Sequence, residues 1–309
     1  MHRRLIDYLI ITLKGIAMGA ADVVPGVSGG TIAFISGIYE ELITSIGNIN
    51  LSILTTLRQE GFKPAWKQLN GNFLLALFIG IGMSVLSLAK LMGWLLEHKP
   101  IFLWSFFFGL VVASIFFVGK QITKWNLGTI SLFILGAVVA YYISSLPVMG
   151  TNESIWFLFL AGALAICAMI LPGISGAFIL VLLGAYQPVL EALNNRDLKT
   201  IGVIGLGAII GLLSFSKLLK WLFANYKNLT LATLTGFILG SLNKIWPWKV
   251  TLSTRVNSKG EEVPLLQESI SPFSYQENPQ MAWAAALAIL GFLTIFLLER
   301  LAVNQKTSA

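Results

Sequence analysis

Residues 25–42 read PGVSGGTIAFISGIYEEL, and residues 172–189 read PGISGAFILVLLGAYQPV. Laid over one another without a gap, Pro25 on Pro172, the two stretches agree at seven of eighteen positions: Pro, Gly, Ser, Gly, Ile, Gly and Tyr. The correspondence continues outward. Residues 76–114 lie over 203–241, again without a gap, which sets Lys90 on Lys217, Trp94 on Trp221, Gly109 on Gly236 and Ser114 on Ser241. LFILGA at 132–137 lies over LAILGF at 287–292. Shared apolar composition is common between membrane segments, but a shared Pro-Gly-x-Ser-Gly, Lys and Trp at matched spacing is not. The chain therefore reads as a duplication with halves 1–150 and 151–309.

Composition says what kind of chain is duplicated. Hydrophobic residues make up 56% of the 309 and charged residues 11%, against roughly 25% charged in soluble proteins. Mean hydropathy is +0.80 over the whole length, too high for a soluble body with one anchor. The expected class is an all-α polytopic membrane protein. One cysteine, Cys167, excludes an internal disulfide and a cysteine metal cluster, and His2 and His98 are too few for a histidine metal site. No metal and no cofactor is expected. The net charge of +7 comes from 21 basic residues scattered between apolar runs. That pattern fits loops facing an anionic membrane surface and not a nucleic-acid partner.

A spanning helix needs about 20 apolar residues. Long apolar stretches fall at 5–21, 31–46, 72–96, 101–118, 127–146, 155–171, 176–190, 201–223, 229–246 and 281–298. The first contains Lys14 and is followed by a Pro-Gly break, so a cleaved signal peptide is not expected there. Each half reads as a helical hairpin broken at Pro-Gly (5–46 and 155–190) followed by three transmembrane helices. The longest polar connection, 247–280, is read as an outer loop. A hairpin plus three spans turns the second half upside down, giving two inverted-topology repeats. With the N-terminus inside, cytoplasmic segments carry Arg3, Arg4, Arg58, Lys63, Lys67, Lys120, Lys124, Lys220, Lys227, Arg300 and Lys306. Outer loops carry Lys99, Arg196, Lys199, Lys249, Arg255 and Lys259. Eleven against six favours both termini inside. Re-entrant and fully spanning hairpins give the same parity. Re-entrant or broken helices are expected, because a Pro-Gly-x-Ser-Gly-Gly run cannot stay helical. Backbone groups freed at membrane depth must be buried in protein or line a wet cavity.

The two loops are the first candidates for a binding site. Glycines at 26, 29, 30, 173 and 176 let backbone approach a ligand, and Ser28 and Ser175 can cap the following helices or offer a hydroxyl. Helix N-termini attract anions, and in inverted-repeat transporters two broken helices form the substrate site. The plainer reading is that the glycines permit tight packing and the serines only cap. Asp22 stands three residues before Pro25, opposite Met169 in the repeat. It can carry a coupling proton, bind a cation, hold a lysine, or satisfy loop N–H groups. Glu40 and Glu41 lie opposite Gln187 and Pro188, and either can simply rest in interfacial water. Lys90 and Lys217 either snorkel beside Trp94 and Trp221 or contact a phosphate or carboxylate at each entrance. Lys14 is expected to pair with an acid or face a cavity. Tyr39 and Tyr186 match, with aromatic packing as the expected role.

At GAADVVPGVSGGTIAFISGIYEEL, supported by ILPGISGAFILVLLGAY, the sequence resembles the bacterial polyprenyl-phosphate transporters of the PopT type, long catalogued as a domain of unknown function. The similarity covers nearly the whole chain. The resemblance implies a flippase in the bacterial cytoplasmic membrane. It would return undecaprenyl phosphate from the outer to the inner leaflet for synthesis of peptidoglycan and other envelope polymers. The motif residues carry over onto Asp22, Pro25, Gly26, Ser28, Gly29, Gly30, Pro172, Gly173, Ser175 and Gly176, while Ala177 departs from the pattern at the mate of Gly30. The expected partners are that lipid, the surrounding membrane lipids, and a coupling proton or sodium ion, with Asp22, Lys14 and Glu40 along the polar path. The residues alone lead only to an anion transporter, so a carrier or channel for a small soluble anion is the alternative. An intramembrane enzyme such as a lipid phosphatase lacks a His–Arg–Asp set in the membrane.

Overall fold

The computed structural model describes residues 3–23, 28–50, 52–146, 149–150, 152, 154–256 and 262–307. The first half runs α1 (Leu5–Val23), α2 (Gly29–Ile35), α3 (Tyr39–Gly47), α4 (Ser52–Gln59), α5 (Phe62–Gln68), α6 (Gly71–His98), α7 (Pro100–Gly119) and α8 (Leu127–Ser145). The second runs α9 (Ile155–Ile170), α10 (Gly176–Leu182), α11 (Tyr186–Asn194), α12 (Leu198–Asn225) and α13 (Lys227–Ser241). A 3-10 turn (Leu242–Ile245), two strands β1 (Lys249–Val256) and β2 (Glu262–Ser269), and α14 (Met281–Thr307) complete it. Among the described residues α6, α7, α8 and α12 contain stretches long and apolar enough to cross a bilayer. The pair α10 and α11, bent by 107°, makes a fifth such stretch, and α9 and Met281–Phe296 are shorter apolar helices. The molecule is a polytopic helical membrane protein.

Four helix pairs build it: α1 with α6, α9 with α12, α7 with α14, and α8 with α13. Each crossing is made by glycines lying under a carbonyl of the facing helix. Gly15 lies under Leu77 O and Gly80 under Thr12 O; Gly162 lies under Ile204 O and Gly207 under Phe159 O. In the other two pairs Gly109 lies under Ala288 O and Gly291 under Phe106 O, while Gly136 lies under Thr233 O and Gly236 under Phe133 O. A Cβ at any of them would meet that oxygen. Small residues at a crossing are the usual device where lipid provides no hydrophobic drive between helices. The eight fall at repeat-matched positions. Gly15 and Gly162 each stand ten residues before their Pro-Gly, and the other pairs lie on the alignments given above.

The structure departs from the sequence reading in four places. The stretch 31–46 is not continuous: it breaks after α2, where Gly37 takes φ +73°. The stretch 176–190 breaks at the matching Gly184, at φ +68°. Only glycine enters that region without strain, and a lone glycine in an apolar run signals its break weakly. The connection 47–71 holds the short helices α4 and α5. Finally, the loop 247–280 holds an antiparallel hairpin, with Lys249 paired to Ser269 and a register irregularity between Thr251 and Thr254. KVTLSTRV alternates apolar and polar residues, the period of a strand. The hairpin is pinned by Trp246 Nε1 donating to Ile270 O (2.8 Å) and Trp248 Nε1 donating to Pro279 O (2.9 Å).

Both hairpins double back. Arg3 at the start of the first makes a two-pronged pair with Glu41 at its end, at 2.7 and 2.6 Å. Between them, Lys14 Nζ donates to Ser36 O at 2.7 Å, fixing the end of α2 beside the middle of α1. In the second half Met149 N, ahead of α9, donates to Leu182 O at the end of α10 (2.8 Å).

Candidate functional site

The N-terminus of α2 is filled from within the chain. Ser28 is extended (φ −124°, ψ 134°), and its Oγ accepts from Gly30 N at 3.1 Å, the ordinary N-cap bond. Asp22 reaches across the break, and its Oδ1 accepts from Gly29 N at 2.6 Å. A Cβ on Gly29 would strike that carboxylate. Of the roles open to Asp22, satisfaction of a loop N–H is the one displayed. Every residue of α2 from Gly29 to Phe34 is buried. Tyr39 closes the bend behind it edge-on to Phe34 (ring centroids 5.0 Å), the packing role expected of it.

The second loop is built differently. Gly173 takes φ +87°, with Phe237 O and Ser241 Oγ each 2.8 Å from where a Cβ would stand. Gly176 lies under Ala165 O, 2.5 Å from a Cβ. Ser175 precedes α10 in the same extended conformation as Ser28, but its side chain makes no cap hydrogen bond. Its repeat partner Ser28 is 1% exposed; Ser175 is half-buried and Ala177 is exposed. Pro172 is fully buried.

The two loops meet. Ser28 Oγ donates to Met169 O at 3.1 Å, and Gly173 N donates to Thr31 Oγ1 at 2.8 Å. Gly30 fits beneath Ile170 O and Met169 O, 2.6 and 2.9 Å from a Cβ. Residues about 140 apart in sequence are thus joined where both helices break. Glycine at 29, 30, 173 and 176 has a packing reason in each case. Pro25 and Gly26 lie outside the described residues.

The outlying candidates fall elsewhere. Lys14 pairs with the Ser36 carbonyl, not with an acid or an open cavity as expected. The sequence showed its distance from Asp7 and Asp22 but not that the end of α2, with its unpaired carbonyls, would swing beside it. Glu40 meets Lys227 at 2.7 Å with both side chains about half exposed (50% and 54%). Glu41 accepts from Arg3 and from Asn70 Nδ2 at 2.7 Å. Lys217 is exposed on α12 and makes no hydrogen bond or ion pair among the described residues; it does not join the loops. Lys90 lies in α6, and its side chain is outside the described residues.

Lys244, in the turn after α13, was not legible as a site residue. It ends an apolar run, and carrying the register of 76–114 over 203–241 three residues further sets it on Phe117. The structure sets its Nζ 4.1 Å from the centroid of the Phe178 ring. It lines a small cleft with Ser144, Gly173, Ser175 and Phe178. Nearby, Lys249 Nζ donates to Lys244 O at 2.6 Å and stands 3.9 Å from the Trp104 ring centroid. Burial, with the charge of Lys244, pushes the Lys249 ammonium in the loop 247–280 down to about 7.

Paired broken helices that meet from two halves of a polytopic helical protein are an arrangement that membrane transporters use, and the family and relatives that this chain matches are transporters, not enzymes. Residues 18–263 match the undecaprenyl phosphate translocase-like family. The chain is 49% identical over 292 residues to a polyprenyl-phosphate transporter of Vibrio cholerae, covering 94% of this chain and 95% of that one. It is 32% identical over 254 residues to a polyprenyl-phosphate transporter of Staphylococcus aureus, covering 76% and 85%. No solved structure matches. The chain belongs to the undecaprenyl phosphate translocase-like family.

Proposed function

We propose that this transporter carries undecaprenyl phosphate from the outer to the inner leaflet of the bacterial cytoplasmic membrane, coupled to a proton or sodium ion through Asp22. The cargo follows from the family. What supports the path is the seam of Ser28–Met169 and Thr31–Gly173 hydrogen bonds, which joins the two loops. A phosphate headgroup must cross about 30 Å of hydrocarbon while its prenyl tail stays in lipid. Two broken helices meeting at depth divide that distance without an aqueous pore. Ser28, Gly29, Gly30, Pro172, Gly173, Ser175 and Gly176 frame the crossing; Pro25 and Gly26 belong to the same motif and lie outside the described residues. Lys90 and Lys217 attract the headgroup at the two entrances, while Lys14 and Glu40 hold the polar path near the N-terminal end.

The halves are inverted repeats with re-entrant hairpins. The eight matched glycine crossings support the repeat, and the Arg3–Glu41 and Met149–Leu182 contacts support hairpins that leave by the face they entered. Both termini are cytoplasmic, in keeping with the basic bias. With Cys167 replaced, an impermeant thiol reagent on intact cells should label a cysteine at Thr251 and spare one at Lys124; the reverse pattern refutes the orientation.

Proteoliposomes test the function. The purified protein should move a prenyl phosphate between leaflets and should not move free phosphate. Transport of the soluble anion alone would establish the small-anion carrier instead.

A further inference from the structure

We propose that Lys244 receives the phosphate, so that the headgroup docks at the second loop and not symmetrically between the two. This rests on the reading of the chain as a carrier of a lipid phosphate and names the residue that takes the charge. Three observations carry it. Arg3 and Lys227 have carboxylate partners. Lys244, half-buried over the Phe178 ring, has none among the described residues. Its cleft is lined by two hydroxyls, those of Ser144 and Ser175, and the Ser175 hydroxyl makes no hydrogen bond among the described residues. The first loop repels what the second invites. There the Asp22 carboxylate already holds Gly29 N, Ser28 is 1% exposed, and a phosphate would meet a like charge. The duplication is broken by opposite charges: Asp22 has Met169 as its mate, and Lys244 has Phe117. A phosphate monoester docking at the mouth of the cleft gains an ammonium and the Ser175 hydroxyl as donors, the Ser144 hydroxyl already donating to Tyr141 O at 2.7 Å, and the exposed Ala177 marks an open side for whatever the phosphate carries.

Two measurements test this on the full-length protein in phosphatidylcholine vesicles. The first is the initial rate of prenyl-phosphate movement against lipid mole fraction. Lys244→Gln should raise the half-saturating fraction about tenfold, the worth of one charge-assisted hydrogen bond, with Lys244→Arg restoring most of it. The second is acylation of Lys244 in the unmutated protein by an amine-reactive ester, read by mass spectrometry. Prenyl phosphate should protect it and the uncharged prenol should not. If the wild type moves prenyl phosphate, but a folded Lys244→Gln protein saturates like wild type or Lys244 is acylated equally with and without the lipid, the assignment is overturned and the transport reading stands. If the wild type moves no prenyl phosphate but inorganic phosphate protects Lys244, the phosphate site stands and the lipid reading falls. Protection by neither phosphate overturns the site whatever the transport result.

Discussion

Thr31→Val tests the seam between the loops with little else disturbed. Thr31 is 1% exposed, and valine has nearly its shape, so no cavity opens. What goes is the acceptor for Gly173 N, now at 2.8 Å. A net hydrogen bond is worth about 1 kcal/mol, and a buried donor left without a partner costs about 1–3 kcal/mol. Gly173 borders the Lys244 cleft, where water can approach, so the cost should fall near ~1.5 kcal/mol, or about tenfold in the equilibrium for opening the seam. Cys167, the only cysteine, reads that opening. It is half-buried near the end of α9, with its Sγ donating to Gly211 O at 3.6 Å. Its rate of modification by a slow thiol reagent should rise about tenfold in Thr31→Val, in proportion to the open population. The control is Thr233→Val, whose hydroxyl among the described residues bonds only to Leu229 O of its own helix and whose rate should stay within about twofold. Ser28→Ala removes the cap and the bond to Met169 O and should cost about 1 kcal/mol. The double variant should fall short of the sum, since both bonds close one seam. A Thr31→Val protein whose Cys167 reacts at the wild-type rate would show that this bond does not hold the loops together.

Gly30→Ala sets a methyl 2.6 Å from Ile170 O, so the yield of folded protein from detergent should drop sharply; normal yield with normal transport would mean the loops do not pack as described. Asp22→Asn keeps an acceptor for Gly29 N while removing the charge, so it should spare thermal stability yet impair transport and flatten its response to pH or sodium. Unchanged transport with the same ion response would leave Asp22 a purely structural cap. Lys249, held at about 7 when folded against about 10.5 unfolded, leaves the unfolded segment with more bound protons between those values. Anchoring of the β1–β2 hairpin should therefore tighten as pH rises from 7 towards 10.5 and be weakest below 7. Hydrogen-exchange protection of the Val250–Thr254 amides, corrected for intrinsic rates, should follow that course and lose it in Lys249→Met.

The one-dimensional pattern determined a good deal. Apolar run length and charge scarcity gave the membrane class, because bilayer thickness sets the length of a spanning helix whatever its neighbours. Pro-Gly-x-Ser-Gly marked both breaks before α2 and α10, because proline and glycine limit the backbone locally. The matched Lys, Trp and Gly positions point to a repeat, since a duplicated helix crossing needs its small residue at the same place. Other features depended on what folding brought alongside. Gly37 and Gly184 are the bends, and contacts far away in sequence hold them, the end of α2 beside Lys14 and the end of α10 beside Met149. Alternation in 249–256 became a strand only with Glu262–Ser269 beside it. The functional weights changed most. Lys14, Glu40 and Lys217 stood out as charges in apolar surroundings; folding gives Lys14 a carbonyl, Glu40 an exposed ion pair and Lys217 an exposed helix face. Lys244 looked like the end of a span. It faces the second loop because α13 packs beside α8 and its turn closes over Phe178. A charge in a membrane chain announces a cost that must be met. Which group meets it is a matter of distances between residues far apart in sequence, and those exist only once the helices are packed.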